Sequence, residues 1–161
     1  MQIRPLSRPA DEDALWAILE PMIKGGSTYL LPSDLDRQGA LDYWLKPEHE
    51  VFVIVDGNQV AGTYYLRANA QGGGAHVANC GFVVHPAATG RGLARRMGVH
   101  ALARARERGF KALQYNFVVA TNVAAIALWH SLGMETVGRL PGAFLHPTEG
   151  YVDALVMYRT L

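Results

Sequence analysis

Apolar residues recur along the chain at two spacings, which predict helices and strands in a mixed order. Spacing of three to four residues predicts four helices, beginning near Asp11, Asp36, Leu93 and Asn122. The third is the clearest. Leu93, Met97, Ala101 and Ala105 form its apolar stripe, and Gly109 is the expected C-terminal stop.

Short runs of apolar and β-branched residues predict the strands. They lie at residues 3–6, 51–55, 60–66, 76–84, 113–119, 135–140 and 151–158, with a long loop at 141–150 between the last two. Asp56, Gly57 and Asn58 form a hairpin turn signal between the second and third strands. The third helix joins two strands that a right-handed crossover would make parallel. This order of elements predicts an α+β fold with helices packed on a mixed sheet.

Composition narrows the class of protein. The chain has 161 residues, 50% of them hydrophobic, which predicts a single globular domain over residues 1–161. Fifteen Lys and Arg against fourteen Asp and Glu give a net charge of +1, so a strongly basic nucleic-acid surface is not expected. Cys80 is the only cysteine, and the histidines show no metal-ligand spacing. Without a membrane span or a signal peptide, we expect a cytoplasmic protein with no metal and no membrane partner.

The segment with the strongest chemical signal is 82–96, where a strand, a glycine loop and a helix start follow one another. Gly90 and Gly92 allow the backbone to approach a ligand closely, and the first amides of a helix form an anion site. Arg91, Arg95 and Arg96 add positive charge. A phosphate or pyrophosphate ligand fits this arrangement. Neither a dinucleotide motif nor a P-loop fits, because Arg95 stands at the third glycine position and Gly-Lys-Ser/Thr is absent.

Two sequence blocks resemble the GNAT superfamily of acyl-CoA N-acetyltransferases. In the first, Gly92 and Ala94 match the second half of Gln/Arg-x-x-Gly-x-Gly/Ala, whereas Thr89 replaces the usual Gln or Arg. In the second, the family pattern is Asn-x-x-Ala-x-x-Leu-Tyr-x-x-x-Gly-Phe. Four positions match and two depart: Asn122, Ala125, Leu128 and Gly133 agree, while Trp129 replaces Tyr and Met134 replaces Phe. A closer resemblance, to the branch that contains fungal acetyltransferases of proline analogues, is carried by the run 116–122, the long loop near Pro141 and the ending Gly150-Tyr151-Val152.

The resemblance implies a mixed, mostly antiparallel sheet of six to seven strands with helices on both faces. This sheet would be splayed between the fourth and fifth strands, and acetyl-CoA would enter the splay as cosubstrate. The residues expected to bind it are Phe82, Val83, Val84, Thr89, Gly90, Arg91, Gly92, Leu93, Ala94, Arg95, Asn122 and Trp129.

The resemblance also implies a direct transfer of the acetyl group to an amine. The amide of Val84 is expected to stabilise the oxyanion, and Asn116 to hold cofactor or substrate at the mouth of the splay. Trp129 stands where the family has a tyrosine acid, so we expect it to pack along the cofactor. No glutamate occupies the fourth strand, and the general base is open among His76, Tyr64 and Tyr115.

The sequence thus predicts an acetyl-CoA-dependent N-acetyltransferase acting on a small-molecule amine, with an amino acid or analogue favoured. Two alternatives are a non-catalytic acyl-CoA-binding module and a protein or peptide N-acetyltransferase. Selectivity is expected to depend on residues 24–32, 67–74 and 141–151. A homodimer is compatible with the resemblance, although no residue pattern specifies one.

Overall fold

The computed structural model describes all residues, 1–161, as seven strands and four helices. The strands are β1 (Gln2–Pro5), β2 (Glu50–Asp56), β3 (Gln59–Ala68), β4 (Val77–Val84), β5 (Ala112–Val119), β6 (Glu135–His146) and β7 (Gly150–Thr160). The helices are α1 (Glu12–Gly25), α2 (Arg37–Trp44), α3 (Leu93–Glu107) and α4 (Val123–Ser131). The four predicted helices and seven predicted strands are therefore all present.

The strands form one sheet in the order β1-β2-β3-β4-β5-β7-β6. Every neighbouring pair is antiparallel except β4 and β5. These two are parallel, and they pair only at Val77 with Ala112 and Ala78 with Leu113. Beyond those positions the strands separate, which confirms the predicted α+β sheet and its splay between the fourth and fifth strands.

Helices cover both faces of the sheet, so there are two apolar cores. On one face α3 and α4 pack over a cluster that includes Tyr64, Met97 and Met157. On the other face α1 and α2 pack over a cluster that includes Trp44, Tyr65 and Val83. Because side chains alternate along a strand, consecutive residues Tyr64 and Tyr65 belong to different cores.

Polar side chains cap the starts of α2 and α4. The carboxylate of Asp36 accepts the Gly39 amide at 2.8 Å at the start of α2, and Asn122 accepts the Ala125 amide at 3.4 Å at the start of α4. The start of α1 is held by Asp11, which accepts two bonds from Arg4 at 2.6 and 2.9 Å. The beginning of α1 is thereby tied to β1.

The predicted loop at 141–150 is wrong. Strand β6 continues through Pro141 to His146, and only three residues separate it from β7. Pro141 is tolerated because β6 is an edge strand, where a missing N–H need not break a ladder. Gly142, with φ of +57°, lies in an irregularity of register between Leu140 and Phe144.

None of the four helices combines the length and apolar composition needed to cross a bilayer. The chain also contains no group of three or more His, Cys, Asp or Glu side chains arranged to hold a metal ion.

Candidate active site

The glycine loop presents the unpaired end of α3. Gly92 has φ of +74° and directly precedes the helix, whose start no side chain caps. Gly90 has φ of +77°. The amides of Leu93, Ala94 and Arg95 have no partners inside the helix, since the first intrahelical acceptor, the Gly92 carbonyl, is used by Arg96. These donors and the helix dipole favour an anion.

The polar side chains of the glycine loop and of the start of α3 bond to different parts of the protein. Thr89 Oγ1 donates to the Pro86 carbonyl at 2.9 Å, and Arg95 donates to Ser131 Oγ at 2.8 Å, which links α3 to α4. Arg91 instead pairs with Asp56 at 3.2 Å, at the β2–β3 turn. Of the arginines predicted to surround the anion, the structure therefore places Arg95 at the helix start and directs the Arg91 side chain elsewhere.

The backbone of β4 is open toward the gap at Phe82 and Val84. The His85 amide donates to the Ala61 carbonyl at 2.9 Å, so alternate residues of β4 point their backbone groups toward β3. Phe82 and Val84 have the opposite orientation and face the splay. The hydroxyl of Tyr29 donates to the Phe82 carbonyl at 3.1 Å, which is consistent with that orientation.

Two cavities meet at the splay. The larger cavity has a volume of about 600 Å³ and extends from α1 to the glycine loop and α4. The smaller cavity has a volume of about 310 Å³ and lies among β3, β4, β5 and the loop before α2. Six residues line both: Thr28, Tyr29, Phe82, Asn122, Ala125 and Trp129.

The larger cavity collects most of the residues predicted to bind the cofactor. They are Phe82, Val83, Val84, Thr89, Gly90, Gly92, Leu93, Ala94, Arg95, Asn122 and Trp129. Arg91 lines neither cavity. Asn116 lines only the smaller cavity, where its amide donates to Asn69 Oδ1 at 2.6 Å.

Trp129 forms the wall between the two cavities. It is 7% exposed, and its ring centroid lies 4.8 Å from that of Phe82 and 5.0 Å from that of Tyr115. These contacts fix the indole by packing. An indole N–H does not ionise near neutral pH, so Trp129 cannot act as the acid that protonates a leaving thiolate.

Only one of the three residues considered as general base reaches the site. His76 is exposed and outside both cavities. Tyr64 is buried under α3, with its hydroxyl 2.6 Å from Nδ1 of His100. Tyr115 lines the smaller cavity, but burial raises its pKa well above the usual value, so the phenol stays protonated at neutral pH.

Sequence reasoning missed Asn79 in the smaller cavity, and it included Arg67 only as the first residue of the segment 67–74 expected to affect selectivity. Arg67 and Asn79 face each other across β3 and β4. Both line the cavity, and Asn79 donates to the Gln114 carbonyl at 2.9 Å. Period-2 alternation places Arg67 on the same face as Tyr65, but only the strand pairing brings it opposite Asn79.

The sequence and the fold match a known family of enzymes. Residues 14–134 match the family model described as the acetyltransferase (GNAT) family. The chain belongs to this family. It is 30% identical over 151 residues to the N-acetyltransferase aca1 of Schizosaccharomyces pombe, an alignment that covers 83% of this chain and 72% of the relative. It is therefore a GNAT N-acetyltransferase by sequence as well as by fold.

Solved structures agree with this assignment. A GCN5-related N-acetyltransferase from Kribbella flavida is 38% identical and superposes with a TM-score of 0.94, over 99% of this chain and 97% of that one. A GNAT phosphinothricin acetyltransferase from Sinorhizobium meliloti, in complex with acetyl-CoA, shares the fold at 18% identity. Its TM-score is 0.85, over 99% of this chain and 88% of that one.

Proposed function

We propose that this GNAT protein transfers an acetyl group from acetyl-CoA directly to the amine of a small molecule, with an amino acid or analogue as the favoured acceptor. The observation that carries the proposal is the meeting of the two cavities at Phe82 and Trp129. The larger cavity reaches the anion-binding end of α3, while the smaller one opens on the other side of the same wall. The acetyl-CoA complex of the Sinorhizobium meliloti protein supports this choice of cosubstrate.

Each part of the larger cavity has a role in this proposal. The amides of Leu93, Ala94 and Arg95 bind the pyrophosphate, and the exposed edge of β4 at Phe82 and Val84 pairs with the pantetheine arm. Val83, Thr89 and Gly90 line the same path. Asn122 and Trp129 complete the wall near the thioester.

The transfer needs little from side chains. The lone pair of a neutral amine attacks the thioester carbonyl, a C–N bond forms, and the C–S bond breaks. The Val84 amide faces the gap and donates to the oxyanion that develops on the carbonyl oxygen. A thiol has a pKa of about 8.5 in free cysteine, so CoA leaves as a thiolate at modest cost. The amine proton leaves through water, because neither cavity is lined by a carboxylate or a histidine.

That same absence favours a second candidate function, a module that binds acyl-CoA without turning it over. A peptide acceptor is the third candidate. The volume of the smaller cavity, about 310 Å³, matches a small amine, and a peptide would have to enter by a terminal amine.

The deciding experiment combines calorimetry with CoA and a thiol-release assay with acetyl-CoA. The acceptors are free amino acids and their cyclic analogues, polyamines, aminoglycosides and short peptides. We expect CoA binding together with thiol release that depends on the small-molecule acceptor. CoA binding with no release for any acceptor would establish the binding module instead, and release with peptides alone would establish the third candidate.

A further inference from the structure

The smaller cavity has one charged side chain. Of the residues that line it, Arg67 is the only cation, and none is an aspartate or a glutamate. The other polar groups are neutral, and most are tyrosine or asparagine side chains. The cavity is therefore electrostatically positive where the acceptor would sit.

Arg67 has no partner within the protein. It makes no ion pair and no hydrogen bond, and its Nε atom is buried without an acceptor. A buried guanidinium N–H that has given up water without gaining an acceptor is unfavourable, and a charge raises that cost. Such a group in a cavity wall is a donor that can bond to an acceptor entering the cavity.

Two arginines on the adjacent surface, by contrast, do have an acid partner. On the adjacent surface Arg104 and Arg108 both bind the carboxylate of Glu50, at 2.6 and 2.7 Å. Glu48 and Glu50 line a groove that Arg67 also reaches, yet neither pairs with it. Glu50 is already paired and Glu48 forms no ion pair with Arg67, so water or a ligand supplies the acceptor for its N–H groups.

The position of Arg67 is fixed by the sheet. It lies on β3 opposite Asn79 of β4, two residues after Tyr65. The ring centroid of Tyr65 is 4.1 Å from that of His49 and 4.8 Å from that of Trp44, so this part of β3 is held by packing. A planar guanidinium held on such a wall matches the two oxygens of a carboxylate.

We propose that Arg67 binds the carboxylate of the acceptor, so that the substrates of this enzyme are amino acids rather than polyamines, aminoglycosides or lysine side chains. The inference rests on the function proposed above and narrows its acceptor class. The amino or imino nitrogen of the bound acid forms the new C–N bond as the C–S bond breaks, and the products are the N-acetylated acid and CoA. Cationic acceptors without a carboxylate are repelled by Arg67 and meet no acid in the cavity.

The test compares each amino acid or cyclic imino acid with its own carboxamide, which keeps the amine and removes the negative charge. In the wild type we expect kcat/KM for the acid to exceed that for the amide at least tenfold. Arg67→Gln should raise KM for the acid by tenfold or more and leave the amide kinetics and the KM for acetyl-CoA unchanged. Arg67→Lys keeps the positive charge but not the paired N–H donors of the guanidinium, so it should retain part of the preference for the acid over the amide.

Arg108→Gln is the matched control, because Arg108 is an arginine on the adjacent groove that already has an acid partner. It should leave the acid-to-amide ratio as in the wild type. A wild-type preference for amides or polyamines, or an unchanged ratio in Arg67→Gln, would overturn the role of Arg67 while leaving acetyl transfer established.

A binding measurement separates this inference from the proposed function. Calorimetry with the N-acetylated acid, on protein saturated with CoA, should give a Kd at least tenfold weaker for Arg67→Gln than for the wild type. If no amine is acetylated but this difference is found, the carboxylate site stands and the catalytic proposal fails. Equal affinities would overturn the carboxylate site whatever the turnover.

Discussion

The two cavities that meet at Trp129 are built in different ways. The larger one takes most of its predicted binding groups from one continuous segment, residues 82–95, and the free N–H donors at the start of α3 are backbone amides. The smaller one is lined by side chains from β3, β4, β5, α2 and the loop before it, which are distant in the sequence.

This difference predicts that the two cavities respond differently to substitutions. Amides at a helix start bind an anion whatever side chains follow, so Thr89 can replace the usual Gln or Arg without removing the site. A cavity walled by side chains changes its ligand with each substitution. We therefore expect changes near Arg67 to alter the acceptor and changes near Gly92 to alter CoA binding, with little overlap.

The largest expected effect comes from Gly81→Ala, which disturbs the smaller cavity alone. A Cβ at Gly81 would lie 2.5 Å from Tyr65 Cε1 and 2.8 Å from its hydroxyl. Tyr65 is confined by Trp44 and His49 and cannot move away freely. We expect a loss of about 3 kcal/mol in the free energy of unfolding, measured with urea, and a fall in acceptor kcat/KM.

CoA affinity, measured by calorimetry on the folded variant, should stay within about twofold of the wild type. Gly73→Ala is the matched control, because a Cβ there meets nothing within 4 Å. A Gly81→Ala protein as stable as Gly73→Ala would show that Tyr65 is not confined as described.

Asp11→Asn should lower stability without touching either cavity. Asp11 accepts bonds from Arg4 and from the Ser7 amide at 2.7 Å, and it is buried. Hydrogen bonds to a charged group contribute more than neutral ones, so we expect a loss of about 2 kcal/mol in the free energy of unfolding. Asp13→Asn is the control, since the Asp13 side chain is 96% exposed and its pair with Arg37 contributes little.

The same carboxylate predicts a dependence on pH. The hydrogen bonds from Arg4 hold the pKa of Asp11 below its usual range. A lowered pKa in the folded state means that this stabilisation is complete above the unfolded-state pKa, about 3.9, and is lost as the pH falls through the folded-state pKa. The difference in unfolding free energy between wild type and Asp11→Asn should therefore shrink in acid. A difference that is constant from neutral pH to the acid limit would contradict the ion pair.

Gly92→Ala should disturb the larger cavity alone. An alanine at φ of +74° costs about 1 kcal/mol or more, and any relief of that strain moves the amides at the start of α3. We expect CoA to bind about tenfold more weakly, which corresponds to about 1.4 kcal/mol. Gly109→Ala, at φ of +83° beyond the other end of α3, carries a similar strain and should leave CoA affinity unchanged. Equal CoA affinities in the two variants would remove the glycine loop from the binding site.

Most of the fold could be predicted because periodicity is a local property. The stripe of Leu93, Met97 and Ala101 indicates α3 without reference to the rest of the chain, and all three residues are buried. The prediction of a loop at 141–150 was wrong because the structure of this segment is not a local property. Pro141 ends a central strand but is tolerated at an edge, and the position of β6 at the edge depends on the whole sheet.

The larger cavity was more predictable than the smaller one for the same reason. The glycine positions and the start of α3 lie within one segment. Which arginine faces the cavity was not predictable, because Arg91 is drawn to Asp56 and Arg95 to Ser131, both from distant elements. The position of Arg67 opposite Asn79 depends on the pairing of β3 with β4, which the local sequence does not indicate.

The smallest expected effect is that of Trp129→Tyr, the residue shared by both cavities. If Trp129 acts by packing, a tyrosine should preserve most of the wall against Phe82 and Tyr115 and keep kcat within about threefold, since a contact of similar shape changes the barrier by under about 1 kcal/mol. Thiol release measures the turnover, and calorimetry with CoA measures cofactor binding separately. Trp129→Ala, which opens the wall, should impair both. Loss of all turnover in Trp129→Tyr with CoA binding intact would show instead that the indole takes part in the transfer and that the two cavities are not independent.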